Sequence, residues 1–134
     1  MKKIAIPLVA DKFSEHFGGA DSFAFFEVDE EKKTIIASEK AAPPPHERGV
    51  FPVWLNQQGV NVVFAGGMGP RAHDILARYG IEVLMGVRGS NPEDLVQAWL
   101  DRKLETGIFF SAPMLMLGAG LGLWFAWKWM HRRL

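Results

Sequence analysis

The feature that most constrains this chain is a run of 21 residues without a single charge, from Gly107 to Trp127. About 20 such residues are enough for one helix to cross a bilayer. All 15 acidic residues precede the run. The charge pattern therefore divides the chain into residues 1–106, which are of mixed polarity, and residues 107–134, a hydrophobic tail that is a candidate transmembrane helix.

The far end of the tail has the composition found where membrane helices meet water. Tryptophans and basic residues cluster between Trp124 and Arg133, a pattern typical of an interfacial aromatic belt. Gly118 and Gly122 have the spacing at which two membrane helices pack. We interpret residues 107–127 as a membrane anchor. Burial of a hydrophobic helix in a homo-oligomer and an altered reading frame after Gly107 are the alternatives.

Composition excludes several classes of protein for the body, residues 1–106. The apolar run after Met1 is short and is interrupted by Pro7 and Asp11, unlike a signal peptide, so we expect a cytoplasmic domain. The chain has no cysteine, which excludes disulfides and thiolate metal ligands. Its formal net charge is zero, and we therefore expect no nucleic-acid partner.

The body alternates between apolar runs typical of strands and amphipathic stretches typical of helices. The expected strands are Lys3–Val9, Ser22–Asp29, Lys33–Ser38, Asn61–Ala65 and Ile81–Val87, and the expected helices are Val50–Gln58, Arg71–Tyr79 and Glu93–Lys103. Tyr79 is expected on the buried face of its helix. A charged turn at residues 30–32 indicates a hairpin, while strand–helix alternation after residue 50 favours parallel pairing. The sequence predicts an α/β fold with a mixed sheet of about five strands covered by helices.

Three segments carry residues suited to binding chemistry, and each also has a purely structural explanation. The loop Phe13–Ala20 places His16 beside two glycines after the first strand, where α/β proteins often bind ligands; the alternative is an ordinary exposed turn. The stiff loop Pro44–Gly49 holds His46, or is a rigid connector with a solvated tip. The turn Gly66–Arg71 exposes backbone amides at a helix start, or is a tight turn that needs glycine.

These segments indicate an anion receptacle more than an active site. The glycine turn matches a dinucleotide fingerprint only formally, because no acidic residue ends the next strand. Ser14 and Glu15 adjoin His16 in the chain but lack the pattern of a nucleophile elbow. A metal-dependent hydrolase needs several converging carboxylates, and the sequence shows no such cluster.

The order of four segments resembles the dinitrogenase iron–molybdenum cofactor biosynthesis family, which includes nitrogenase cofactor carriers and the molybdenum–copper orange proteins. The segments are Ile4–Pro7, Ser14–Ala20, His46–Gly49 and Val62–Ala72, and the similarity covers roughly residues 2–106. The resemblance implies a three-layer, ribonuclease H-like fold without nuclease activity. The hydrophobic tail departs from the family pattern.

Carried over by motif, the resemblance implies a set of cluster-binding residues. They are His16, Phe17, Gly18, His46, Gly66, Gly67, Met68 and Gly69, with His16 and His46 as metal ligands. Arg71 joins them by its charge, since metal–sulfur clusters are often anionic. The resemblance implies a non-enzymatic role in cofactor biosynthesis, in which an iron–molybdenum–sulfur or molybdenum–copper–sulfur cluster passes from a donor to a recipient protein. Since the chain lacks cysteine, such a cluster must bring its own sulfide. The alternative is a nucleotide- or small-anion-binding regulatory module that uses the glycine turn.

Overall fold

A computed structural model describes residues 1–45, 47 and 49–104 of the chain. These residues form six strands: β1 (Lys2–Val9), β2 (Lys12–Phe13), β3 (Ser22–Asp29), β4 (Thr34–Ala41), β5 (Val62–Phe64) and β6 (Glu82–Leu84). They also form three α-helices: α1 (Val50–Gln57), α2 (Pro70–Arg78) and α3 (Pro92–Leu100). A 3-10 turn spans Phe17–Gly19.

The strands form one mixed sheet in the order β4-β3-β1-β5-β6, with β2 paired to β1. The long strands β1, β3 and β4 are antiparallel, and β1, β5 and β6 are parallel. The β3–β4 hairpin and the parallel β5 and β6 confirm the mixed sheet predicted from the sequence. The two-residue β2 was not predicted; it follows a tight turn in which Ala10 and Asp11 both have positive φ.

Each face of the sheet carries its own apolar core. Alternate residues of β1 enter opposite cores: Ile4, Ile6 and Leu8 lie on one face and Ala5 on the other, as the two-residue repeat of a strand requires. Helix α3 covers the first face, and α1 and α2 cover the second. The three layers therefore follow from burial. The ribonuclease H-like assignment stays a prediction.

Further details differ from the sequence prediction. Strands β5 and β6 are only three residues long, because the chain bends at Gly66 and Gly86 on its way to the next helix. Tyr79 was predicted to be buried, and this was wrong, since its side chain is 43% exposed. Tyr79 is the C-cap of α2, one residue beyond the last helical residue, at the exposed end of the helix.

The predicted C-terminal helix falls on residues 107–134, outside the described residues, and the division of the chain at residue 106 stays a prediction. Within the described ranges, no helix combines the length and apolar character needed to cross a bilayer.

Candidate functional site

The carboxyl ends of the parallel strands β1, β5 and β6 meet at one edge of the sheet, where α/β folds usually bind ligands. Hydrogen bonds join the loops beyond this edge. The Gly67 N–H donates to the Glu15 carbonyl at 2.6 Å, and the Phe17 N–H donates to the Gly67 carbonyl at 3.1 Å. His16 and Gly67 thus form a parallel β-bridge. This ladder of hydrogen bonds extends to the turn after β6, since the Gly86 N–H donates to the Gly66 carbonyl at 3.1 Å.

This ladder fixes the backbone of His16 while its side chain remains exposed. The His16 carbonyl accepts two hydrogen bonds, from the Ser14 hydroxyl at 3.0 Å and from the Gly19 N–H at 3.1 Å. An exposed imidazole on a fixed backbone can accept from or donate to a ligand, or bind a metal, at little entropic cost.

Phe17 attaches the same loop to the apolar core. Its side chain is 3% exposed and packs edge-on against the rings of Phe23, at 5.8 Å between centroids, and Phe51, at 5.9 Å. Gly18, within the same 3-10 turn, is half-buried. The structure therefore places Phe17 in the core beneath the loop, and places His16 on the surface above it.

The glycine turn brings the two loops together. A Cβ atom added at Gly66 would lie 2.7 Å from the Glu15 carbonyl oxygen and 2.8 Å from the Glu15 Cβ. The Gly67 N–H is already used by the Glu15 carbonyl, as described above. Met68 is partly buried against the second core, and Gly69 is the exposed N-cap of α2. Gly66 and Gly67 thus hold the His16 loop in place.

The start of α2 has the electrostatics of an anion site. Its N-cap makes no side-chain hydrogen bond and its first turn holds no acidic residue. Arg71 lies exposed in this turn and takes part in neither of the two ion pairs found in the described part of the chain, Lys2–Glu30 and Lys40–Asp11. Free amides, the helix dipole and a guanidinium all favour a negatively charged ligand here.

His46 lies outside the described residues, so the structure neither joins it to His16 nor separates the two. The end of its loop does lie against α2, because a Cβ at Gly49 would be 3.6 Å from Ile75 Cδ1. Among the described residues no three His, Asp or Glu side chains are grouped to hold a metal ion.

Sequence reasoning missed a third turn at the same edge. The Phe13 N–H donates to the Ser90 carbonyl at 2.8 Å, which ties the turn after β6 to the loop after β1. A signal for it was present: Gly66 and Gly69 recur 20 positions later as Gly86 and Gly89, again between a short strand and a helix.

The chain is similar in sequence and in fold to known proteins. The family model described as dinitrogenase iron-molybdenum cofactor matches residues 1–102. An uncharacterised protein of Methanocaldococcus jannaschii, MJ0580, is 28% identical over 108 residues, which cover 78% of this chain and 91% of the relative. The crystal structure of PH0822 superimposes with a TM-score of 0.72 at 29% identity, covering 78% of this chain and 94% of that one. The apo form of the orange protein from Desulfovibrio gigas superimposes with a TM-score of 0.62 at 26% identity, covering 80% and 93%.

Proposed function

Because this chain belongs to the dinitrogenase iron-molybdenum cofactor family, we propose that it binds a metal–sulfur cluster, of the iron–molybdenum or molybdenum–copper type, and carries it without transforming it. The observation that carries this proposal is the exposed His16 side chain on a backbone bridged to Gly67, a residue of the short turn that leads into α2 at Pro70. A metal-binding group and an anion-favouring helix start are thereby joined through one short turn.

The chemistry of such a cargo matches these groups. Metal–sulfur clusters are commonly anionic, and sulfide accepts hydrogen bonds from amides and guanidinium groups. Arg71 and the first amides of α2 would bind the sulfide face, while His16 would bind a metal through one imidazole nitrogen. We propose His46 as the second imidazole ligand, since the end of its loop lies against α2.

Carriage between a donor and a recipient protein requires a site that other proteins can reach. His16, Gly69 and Arg71 are all exposed at the edge of the sheet. A cluster bound there by imidazole and hydrogen bonds, without thiolate ligands, can leave by exchange onto the recipient. We propose the hydrophobic residues 107–127 as a membrane anchor for this carrier; the support is their length and lack of charge.

The test is metal and acid-labile sulfide analysis, with a visible spectrum, of the full chain purified without oxygen. We expect stoichiometric sulfide with molybdenum, iron or copper, and a loss of at least tenfold in bound metal for His16→Ala. His73→Ala is the matched control, because it removes another exposed imidazole from the first turn of α2.

Metal-free protein that also refuses added clusters would refute the proposal. If the same protein binds ATP or phosphate equally well with and without His16, the site is instead a nucleotide- or anion-binding module. If His73→Ala loses as much metal as His16→Ala, the assigned ligand is wrong.

A further inference from the structure

Ser14 is the one buried polar or charged residue among those that the structure describes, with 9% of its surface exposed. Its N–H donates to the Pro7 carbonyl at 2.9 Å, which attaches it to β1. Its hydroxyl donates to the carbonyl of His16, two residues ahead, at 3.0 Å. From this contact we infer that Ser14 is a positioning residue for His16, a role that rests on the proposed cluster binding.

The hydroxyl fixes the direction of one peptide plane. A buried hydroxyl needs a hydrogen-bond partner, and a serine that reaches a backbone carbonyl nearby stabilises a turn. The His16 carbonyl also accepts from the Gly19 N–H, so two donors from opposite ends of the loop hold it. Because the carbonyl cannot rotate, the Cα–Cβ bond of His16 keeps its direction.

Backbone hydrogen bonds hold the loop on both sides of His16, so that only the side chain of His16 is free to rotate. The residue before it accepts a hydrogen bond from Gly67, and the residue after it donates one to Gly67. Only the two side-chain torsions of the imidazole then remain to be ordered when a ligand binds, which lowers the entropic cost of binding. Without the Ser14 hydroxyl, one of the two donors to the carbonyl is lost and the imidazole samples more orientations.

The experiment uses the full chain and tetrathiomolybdate, an anionic metal–sulfur probe, titrated without oxygen and followed by visible absorbance and induced circular dichroism. We expect Ser14→Ala to bind the probe about three- to tenfold more weakly, the range for one hydrogen bond, and to change its induced dichroism. Ser14→Thr keeps the hydroxyl and should restore both. In a His16→Ala background, Ser14→Ala should cause no further loss.

A stability control separates positioning from general damage. Val96→Ala removes a fully buried side chain from α3, on the other face of the sheet, and should lower stability without changing the affinity. Equal affinity of Ser14→Ala and the unmodified chain would overturn the inference. The inference would also be overturned if Ser14→Ala lowered the affinity equally in the presence and in the absence of His16, because Ser14 would then act on the fold as a whole.

A measurement without any probe keeps this inference separate from the proposed function. The amides of Phe17 and Gly67 make the hydrogen bonds on either side of His16, and their hydrogen exchange reports the order of the loop. We expect Ser14→Ala to speed their exchange about tenfold more than that of the core amides. Unchanged exchange would overturn the role of Ser14. A chain that rejects the probe but shows this exchange pattern would refute only the proposed function.

Discussion

Replacing Gly66 by alanine should damage the site without removing any group that could touch a ligand. The added Cβ would lie 2.7, 2.8 and 2.9 Å from the carbonyl oxygen, Cβ and Cα of Glu15, and ordinary contact begins near 3.4 Å. The two loops would have to separate by about 0.7 Å, the difference between these distances. Two of the three close atoms are backbone, so no flexible side chain can move aside.

The free-energy cost follows from what holds the loops together. Their separation would weaken the Gly67-to-Glu15 and Phe17-to-Gly67 hydrogen bonds, each with a net contribution of about 0.5–1.5 kcal/mol. Overpacking a tight contact costs about 1–3 kcal/mol. If the loops separate, the clash is relieved but the hydrogen bonds weaken, and if they stay together the clash remains. We therefore expect Gly66→Ala to lower the free energy of unfolding by about 2–3 kcal/mol.

Urea unfolding followed by tryptophan fluorescence measures this change, and the neighbouring glycine provides the control. A Cβ at Gly67 would lie 4.0 Å from the Glu15 oxygen, in ordinary contact. Gly67→Ala should therefore change the free energy of unfolding by less than about 0.5 kcal/mol, as expected for a substitution without a clash. Equal stabilities of the two variants would refute the reasoning, because the close approach of Glu15 and Gly66 would then be dispensable.

Three further predictions concern Phe17 beneath the His16 loop, Arg71 at the start of α2, and Asn91 at the start of α3. Phe17→Ala should lower the free energy of unfolding by about 3–5 kcal/mol, because it empties a buried aromatic site; denaturant unfolding checks it, and a cost below about 1 kcal/mol would contradict the anchoring role. Arg71→Gln should weaken tetrathiomolybdate binding and reduce its dependence on salt without changing stability; an unchanged salt dependence would exclude a role for this charge. Asn91→Ala should cost about 1 kcal/mol by removing the side-chain cap that accepts from the Asp94 N–H, with probe affinity unchanged; a loss of affinity would place α3 in the site.

The sequence was sufficient to predict elements whose pattern is local. The continuous apolar run that became β5 is buried on both faces, as expected for a parallel strand between two helical layers. The helix predicted from Glu93 is α3, which begins one residue earlier at Pro92 and is capped by Asn91. Such features depend on neighbours within a few residues, and periodicity and capping rules describe those neighbours.

The contacts that build the site are not local, and the sequence could not predict them. Glu15 and Gly66 are 51 positions apart, so the requirement for glycine at Gly66 appears only when the loops meet. In the sequence Ser14 is an ordinary hydroxyl residue beside a histidine, and only the fold buries it. The sequence predicted that the glycine turn exposes its backbone amides. In the structure the Gly67 N–H instead donates to the Glu15 carbonyl, which is again a contact between residues far apart in the chain.

The two related turns at this edge end in helices of opposite electrostatic character, which indicates where an anion would bind. Both turns have glycines at matching positions and a proline in the first turn of the helix. At α3, however, Asn91 caps the first turn, and Glu93 and Asp94 oppose the positive end of the helix dipole. At α2 the N-cap lacks a side-chain bond and Arg71 adds positive charge. The residues of α3 therefore close its own helix start, whereas the start of α2 is left open, next to the loop that carries His16.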